Sequence, residues 1–316
     1  MALHCIYLDI KILEMKKTGT PLSDVLITAL APTIWGSTYV VTTSLLPHGY
    51  PLTVAFLRAL PAGLLLLAIV RQLPQGIWWL RAFLLGSLNF SFFWAMLFVS
   101  AYRLPGGVAA TIGAIQPLIV ILLSRIFLGR PIHAIAVGAG MVGMTGVALL
   151  VLTPNAALDP IGVVAGIAGA VSMAFGTVLT RRWVPPVSNL AFTAWQLTAG
   201  GILLAPVAFF FEPALPVPTT ANVLGMAYLG LIGAAITYLL WFRGLARIEP
   251  SAAASLGFLS PVTATLLGWL ALGQSLTSAQ LFGFAMVLAS VWLSQRKMSV
   301  RPTRPDASPQ PATRPA

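Results

Sequence analysis

Leu64-Leu65-Leu66-Leu67-Ala68-Ile69-Val70 and Leu118-Ile119-Val120-Ile121-Leu122-Leu123 are apolar at every position. A helix with one wet face places polar residues every turn, and a half-buried strand alternates. Runs that are apolar on all sides fit helices embedded in lipid and in one another. A closed β-barrel also satisfies its backbone inside hydrocarbon, but it needs the alternation that is missing here. Outward from these runs, residues 24–295 divide into ten segments of about 20 residues, the length that crosses a bilayer. They are 24–45, 52–70, 82–101, 106–127, 132–152, 159–180, 188–211, 221–242, 250–272 and 277–295. Composition agrees: of 316 residues, 58% are hydrophobic and 8% charged, and the mean hydropathy is +0.91. A soluble domain carries about 25% charged residues, so that class is excluded.

The charges fall unevenly between the segments. Of 18 Lys and Arg, one set of alternate breaks holds Lys11, Lys16, Lys17, Arg71, Arg81, Arg125, Arg130, Arg181, Arg182, Arg243, Arg247, Arg296, Lys297, Arg301, Arg304 and Arg314. The other set holds only Arg103, and Arg58 lies inside the second segment. Lys and Arg favour cytoplasmic loops, so both termini are expected in the cytoplasm. No basic stripe with polar neighbours exists, so nucleic acid is not an expected partner, whereas the lipid bilayer is. One cysteine, Cys5, and three scattered histidines, His4, His48 and His133, leave no intrachain disulfide and argue against a metal centre.

Residues 1–23 read as a cytoplasmic tail, because Asp9, Lys11 and Glu14 interrupt any signal-peptide core. Met15-Lys16-Lys17 resembles a second start, which makes residues 1–14 an expected translation-start artefact. Residues 296–316, rich in Pro and Arg, are expected to be a disordered basic tail near anionic headgroups.

Two stretches match at a separation of 144 residues: Gly86 with Gly230, Arg103 with Arg247, Gly113 with Gly257, Pro117 with Pro261, and Leu128-Gly129 with Leu272-Gly273. Each half then has five spans, 24–152 and 159–295. An odd number of spans makes the halves enter the membrane in opposite directions. The expected fold is an all-α integral membrane protein of ten transmembrane helices, arranged as two inverted five-helix repeats. Such halves can exchange conformations about a pseudo-twofold axis in the membrane plane. Pro117 and Pro261 interrupt their spans at matching positions, which points to hinge or pathway residues; Pro32, Pro61 and Pro206 read as kinks.

Asp24, Asp159, Glu212 and Glu249 all fall at span ends. This disfavours a carboxylate proton relay and intramembrane hydrolysis, and neither catalytic residues nor a cofactor are expected. Arg58 has three readings: its side chain reaches to the outer headgroups, pairs with a helix end, or captures a substrate carboxylate. The other candidate substrate-binding residues are neutral polar or aromatic: Trp35, Thr38 and Tyr39; Asn89, Trp94 and Phe98; Gln116; Thr177; Tyr238 and Trp241; and Ser260. Rings that stack and a few polar groups that orient suit a small amphipathic or aromatic molecule. Gly162/Gly166, Ala136/Gly140 and Ala139/Gly143 permit close helix approach. They serve packing within one chain; a homodimer is not indicated.

Trp35-Gly36-Ser37-Thr38, Phe56-Leu57-Arg58-Ala59, the Pro117 and Pro261 elements and the Leu-Gly closes resemble the EamA-like branch of the drug/metabolite transporter superfamily. The stretch Ala101–Ala110 resembles the PecM-like exporters within it. The resemblance spans about residues 24–295. It implies an inner-membrane exporter of small metabolites, amino acid-like or aromatic, with a central cavity between the halves. Many relatives carry a glutamate just after the Leu-Gly close; Arg130 and Gln274 stand there in this chain, so no role of that acid transfers. The expected function is therefore outward transport of a small-molecule substrate by alternating access in a bacterial inner membrane. The alternatives are a bidirectional facilitator, a lipid-modifying membrane enzyme or a sensor.

Overall fold

The computed structural model describes residues 22–104, 106–151, 159–272 and 277–296. The expectations for both tails, Cys5, Gly273 and Gln274 lie outside the described residues. Ten helices are long and apolar enough to cross a membrane. They are α1 Leu22–Thr42, α2 Pro51–Val70, α3 Trp78–Ala101, α4 Val108–Leu128, α5 Ala134–Val151, α6 Pro160–Arg182, α7 Asn189–Phe211, α8 Thr220–Arg247, α9 Pro250–Leu270 and α10 Ser278–Gln295. Among the described residues there is no strand.

Two helices run further than hydropathy predicts. α3 starts at Trp78 rather than 82, because Trp78 is buried against Phe192 and Trp195 of α7, at ring distances of 6.1 and 6.3 Å. α8 runs to Arg247 rather than 242, because Arg243 and Arg247 continue the helix toward Asp24 on α1.

The contacts have twofold character. α2 packs along α7, and α5 along α10. α1 packs on α8 and α9 of the second half; reciprocally, α6 packs on α3 and α4 of the first. This exchange of partners is what an inverted repeat requires: each half alone leaves the inner face of its first helix uncovered.

The irregularities repeat too. α3 contains a π-helical segment at Ser87–Ser91, and α8 contains one at Tyr228–Ile236. The 144-residue spacing carries the first into the second. Wide π turns re-aim side chains and interrupt the regular ladder. α4 breaks at residues 114–115 and α9 at 257–258. The prolines follow these breaks instead of causing a mid-helix gap: Pro117 lies in the first turn of the segment Gln116–Leu128, and Pro261 in the first turn of Leu259–Leu272. In a first turn the missing N–H has no intrahelical partner to lose.

Loops close with local hydrogen bonds. The Asp159 side chain caps α6 at Gly162 N, 2.8 Å, and Thr219 and Thr277 form capping boxes at α8 and α10. Glu212 accepts from Leu52 N and Thr53 N at 2.6 and 2.7 Å, tying the end of α7 to the start of α2.

Candidate functional site

Tyr238, Trp241 and Phe242 stand on one face of α8, at helical i, i+3 and i+4 spacing. They meet Phe90 and Trp94 of α3 and Trp35 of α1. Phe90 lies 4.5 Å from Tyr238 and 5.4 Å from Trp94, centroid to centroid. Trp35 lies 4.9 Å from Tyr238 and 5.3 Å from Trp241. Phe98 packs against the same cluster. At the 144-residue spacing Trp94 corresponds to Tyr238 and Phe98 to Phe242. The cluster is thus contributed by both halves about their pseudo-twofold relation. Its rings touch, so in this conformation the centre that the family resemblance implies to be hollow is packed with aromatic side chains.

A hydrogen-bond chain borders the rings. Trp35 Nε1 donates to Thr237 Oγ1 at 2.9 Å, and Thr237 Oγ1 donates to the Gly233 carbonyl at 2.8 Å. Arg58 Nη2 donates to the same carbonyl at 2.6 Å, and its guanidinium lies over Trp94, 5.0 Å from the ring centroid. Arg58 is therefore turned inward to α8 and α3. The headgroup-reaching reading is overturned: the π-helical segment of α8 presents a carbonyl within reach, and Trp94 offers a ring face.

Asn89 belongs to a second group. It is fully buried and donates to Gln196 Oε1 of α7 at 2.8 Å and weakly to Thr180 Oγ1 of α6 at 3.4 Å. Gly176 lies against its carboxamide, and a side chain at that position would collide with it. Thr177 is buried beside Gly176, its Oγ1 without a hydrogen-bond partner among the described residues.

Gln116, Ser260 and Thr38 have no contact with either group among those described. Gln116 and Ser260 are partly exposed next to the breaks of α4 and α9, where Pro117 is buried and Pro261 partly so. Gly36 is pressed against the Ser260 carbonyl and Thr263, which brings α1 onto α9. Thr38 is partly buried on α1; the side chain of Tyr39 lies outside the described residues. The sequence reading missed Phe90, Phe242, Thr237, Gly233 and Gln196. A lone mid-span amide was a signal for Gln196, and the repeat spacing from Phe98 was one for Phe242; Gly233 and Thr237 carry none in isolation.

An apolar cavity of about 450 Å³ lies elsewhere, between α2, α8 and the α7–α8 connection, lined by Leu57, Pro61, Leu215, Pro218, Met226 and Leu231 among others. Among the predicted site residues whose side chains are described, none borders it.

The model of the EamA-like transporter family matches residues 22–152 and again 160–295. The chain is 44% identical over 280 residues to Protein PecM of Dickeya dadantii (strain 3937), covering 86% of this chain and 94% of that protein. It is 30% identical over 281 residues to the uncharacterized inner membrane transporter YedA of Escherichia coli (strain K12), covering 87% and 92%. A solved crystal structure superposes with a TM-score of 0.74 at 22% identity, covering 86% of this chain and 97% of the other, a likeness of fold alone.

Proposed function

The chain belongs to the EamA-like transporter family and is a multi-pass membrane transporter; on that footing we propose that it exports a small organic metabolite by alternating access. The observation that carries this reading is the aromatic cluster assembled by α1, α3 and α8 from both halves. A site shared by two inverted halves faces one side or the other as they rock. Trp35, Trp94, Tyr238 and Trp241 would stack on an amphipathic or aromatic molecule, and Arg58 and Thr237 would orient it. The rings would part to admit it, a change a ligand can favour only by binding the open arrangement better. Gln116, Ser260 and the paired prolines border the segment breaks, where α4 and α9 can bend. The arginine-rich ends are read as cytoplasmic, in a bacterial inner membrane, and a reporter fused to either terminus tests that orientation.

The transport test is metabolite profiling of the medium from cells with and without the protein, repeated after collapse of the proton gradient. An outward gradient of one compound class that depends on the protein supports export. Equal uptake and release, insensitive to the proton gradient, would support the facilitator instead. Trp35→Ala should reduce release several-fold at unchanged membrane abundance; full release in that variant would remove the cluster from the pathway.

A further inference from the structure

The crossing of α3 with α7 and the crossing of α8 with α2 are the same contact made twice. In α3 and α8 the repeat spacing is 144 residues. In α2 and α7 it is 138: a Cβ on Gly63 would collide with Thr198, a Cβ on Gly201 would collide with Leu60, and these two contacts exchange only at that spacing. Gly86 therefore corresponds to Gly230, and Gln196 to Arg58.

The two crossings are not equally closed. A Cβ on Gly86 would lie 2.8 Å from Gly200 N and 2.9 Å from the Gln196 carbonyl oxygen. A Cβ on Gly230 would first meet the Arg58 carbonyl oxygen, the equivalent atom, at 3.7 Å. At the arginine-rich end the flank of the crossing is filled from within. Trp78, Phe192 and Trp195 bury their rings there, and Trp195 Nε1 donates to the Gln72 carbonyl at 2.6 Å. The repeat puts Asn222, Val54 and Leu57 at these three positions. Three large rings are thus exchanged for an amide and two aliphatic side chains. The cavity of about 450 Å³ lies at this flank, between Leu57 and Pro61 of α2 and Met226, Gly230 and Leu231 of α8.

The cavity opens sideways into the bilayer. Leu65 and Leu231, both 45% exposed, and Val223, 55% exposed, line it and also form the outer surface of their spans. From Leu57 to Leu65 it follows α2 for about 12 Å. Asn222 is the one polar side chain on its described lining, and its amide is already engaged with the Leu45 carbonyl and the Thr219 N–H. Water in such a space would lack partners, and an empty space would leave its walls without contacts. Among the described lining residues none is charged, so a headgroup finds no fixed partner there. A flexible apolar chain, drawn from the lipid that already covers Leu65 and Leu231, meets all of these conditions.

We propose that the groove between α2 and α8 holds one acyl chain of a membrane phospholipid, in the leaflet away from the arginine-rich ends, and that this chain closes the α2–α8 crossing as Trp78 and Trp195 close its counterpart. The gain is packing against an irregular wall, since lipid gives no hydrophobic drive for association. Leu57 and Met226 line the chain, and the π-helical segment of α8 rests on it through Gly230 and Leu231. The chain thereby steadies the segment that carries Gly233 to the aromatic cluster. This goes beyond the transport reading and holds whatever the substrate or direction.

The experiment uses the full-length protein, one copy per nanodisc of phosphatidylethanolamine and phosphatidylglycerol, doped with phosphatidylcholine that carries a diazirine on its acyl chain. After illumination, peptide mass spectrometry reads which residues are labelled. Half-buried Met226 should be labelled as strongly as Phe282 of α10, which is 63% exposed, whereas Ala82, the equivalent of Met226 in the filled crossing, should stay unlabelled. Leu57→Trp, which copies Trp195, should cut labelling at Met226 several-fold and leave Phe282 unchanged. Should Leu57→Trp fail to fold, Ala227→Phe, which copies Phe83, makes the same test. Moving the diazirine onto phosphatidylglycerol should not alter the pattern.

Labelling at Met226 no stronger than at Ala82, or labelling that a folded filled variant retains, would overturn the proposal. So would a pattern seen only with the phosphatidylglycerol probe, which would put recognition in the headgroup. Loss of Met226 labelling when each nanodisc holds two copies would give the groove to a second copy of the chain instead.

Discussion

Among the described residues, ion pairs join the halves at both ends of the helices, and those on Asp24 and on Asp159 are unequal. At the arginine-rich end the Asp24 side chain of α1, 9% exposed, receives Arg243 at 2.6 Å and Arg247 at 3.2 Å from α8. At the other end Arg103, after α3, meets Asp159, before α6, at 3.6 Å, with side chains 46% and 36% exposed. Arg103 and Arg247 are repeat equivalents, so the sequence places the same cation at both ends. Burial decides what each is worth. Water screens the Arg103 pair, and such pairs contribute under about 1 kcal/mol. Asp24 is held from water between two guanidiniums, so its loss would leave them facing each other uncompensated. Arg181 adds to that end, donating to the carbonyls of Leu245 at 3.1 Å and Ala246. The arginine-rich end is thus the more firmly tied one.

Removing the Asp24 charge is the most damaging way to break this contrast. Asp24→Asn should lower stability by about 2–3 kcal/mol, a buried-pair cost reduced for the half-exposed Arg247. Thermal unfolding in detergent reads it, and a loss no larger than that of Asp159→Asn would erase the distinction. The same variant sharpens the contrast in another readout. Thr28 is buried one turn along α1, pressed on Gly244 of α8. Thr28→Cys in a cysteine-free background should label with a polar maleimide about fivefold faster once Asp24 is Asn. Leu104→Cys, buried at the α3–α6 crossing, should not speed up; equal acceleration at both sites would mean general loosening.

Asp159 has two roles that its variants separate. Asp159→Ala loses both the ion pair and the cap on Gly162 N, and should cost about 1.5 kcal/mol. Asp159→Asn keeps a capping oxygen and should cost about 0.5 kcal/mol; equal losses would give the whole effect to the ion pair. Arg130→Gln removes the 3.8 Å pair with Glu249, exposed on both sides. It should change stability by less than about 0.5 kcal/mol, and a larger loss would show that exposure is a poor guide at this end.

The aromatic cluster and Arg58 show where sequence reading stopped. Trp35, Trp94, Phe98, Tyr238 and Trp241 stand out from their spans by type, and the structure brings them together. Asn89 stands out equally, yet its hydrogen bonds go to Gln196 and Thr180 instead. The sequence reading of Arg58 leans to the headgroups or a helix end, and the side chain turns inward to the Gly233 carbonyl. Which way each points depends on the rotation of its helix and on a neighbour from the other half, neither of which is written in local periodicity.

By itself the sequence determined ten spans, their grouping into five and five, and the equivalence of Arg103 with Arg247 and of Pro117 with Pro261. Hydropathy and chain order suffice for these, because lipid demands about 20 apolar residues per crossing and satisfied backbone bonds within each helix. Only the tertiary structure decided that α1 lies on α8 while α6 lies on α3, that the prolines follow breaks, and that Gly233 faces a guanidinium where its repeat partner faces an amide. Those outcomes come from side chains separated by more than 100 residues packing against one another, where a fraction of a helical turn changes which atoms meet.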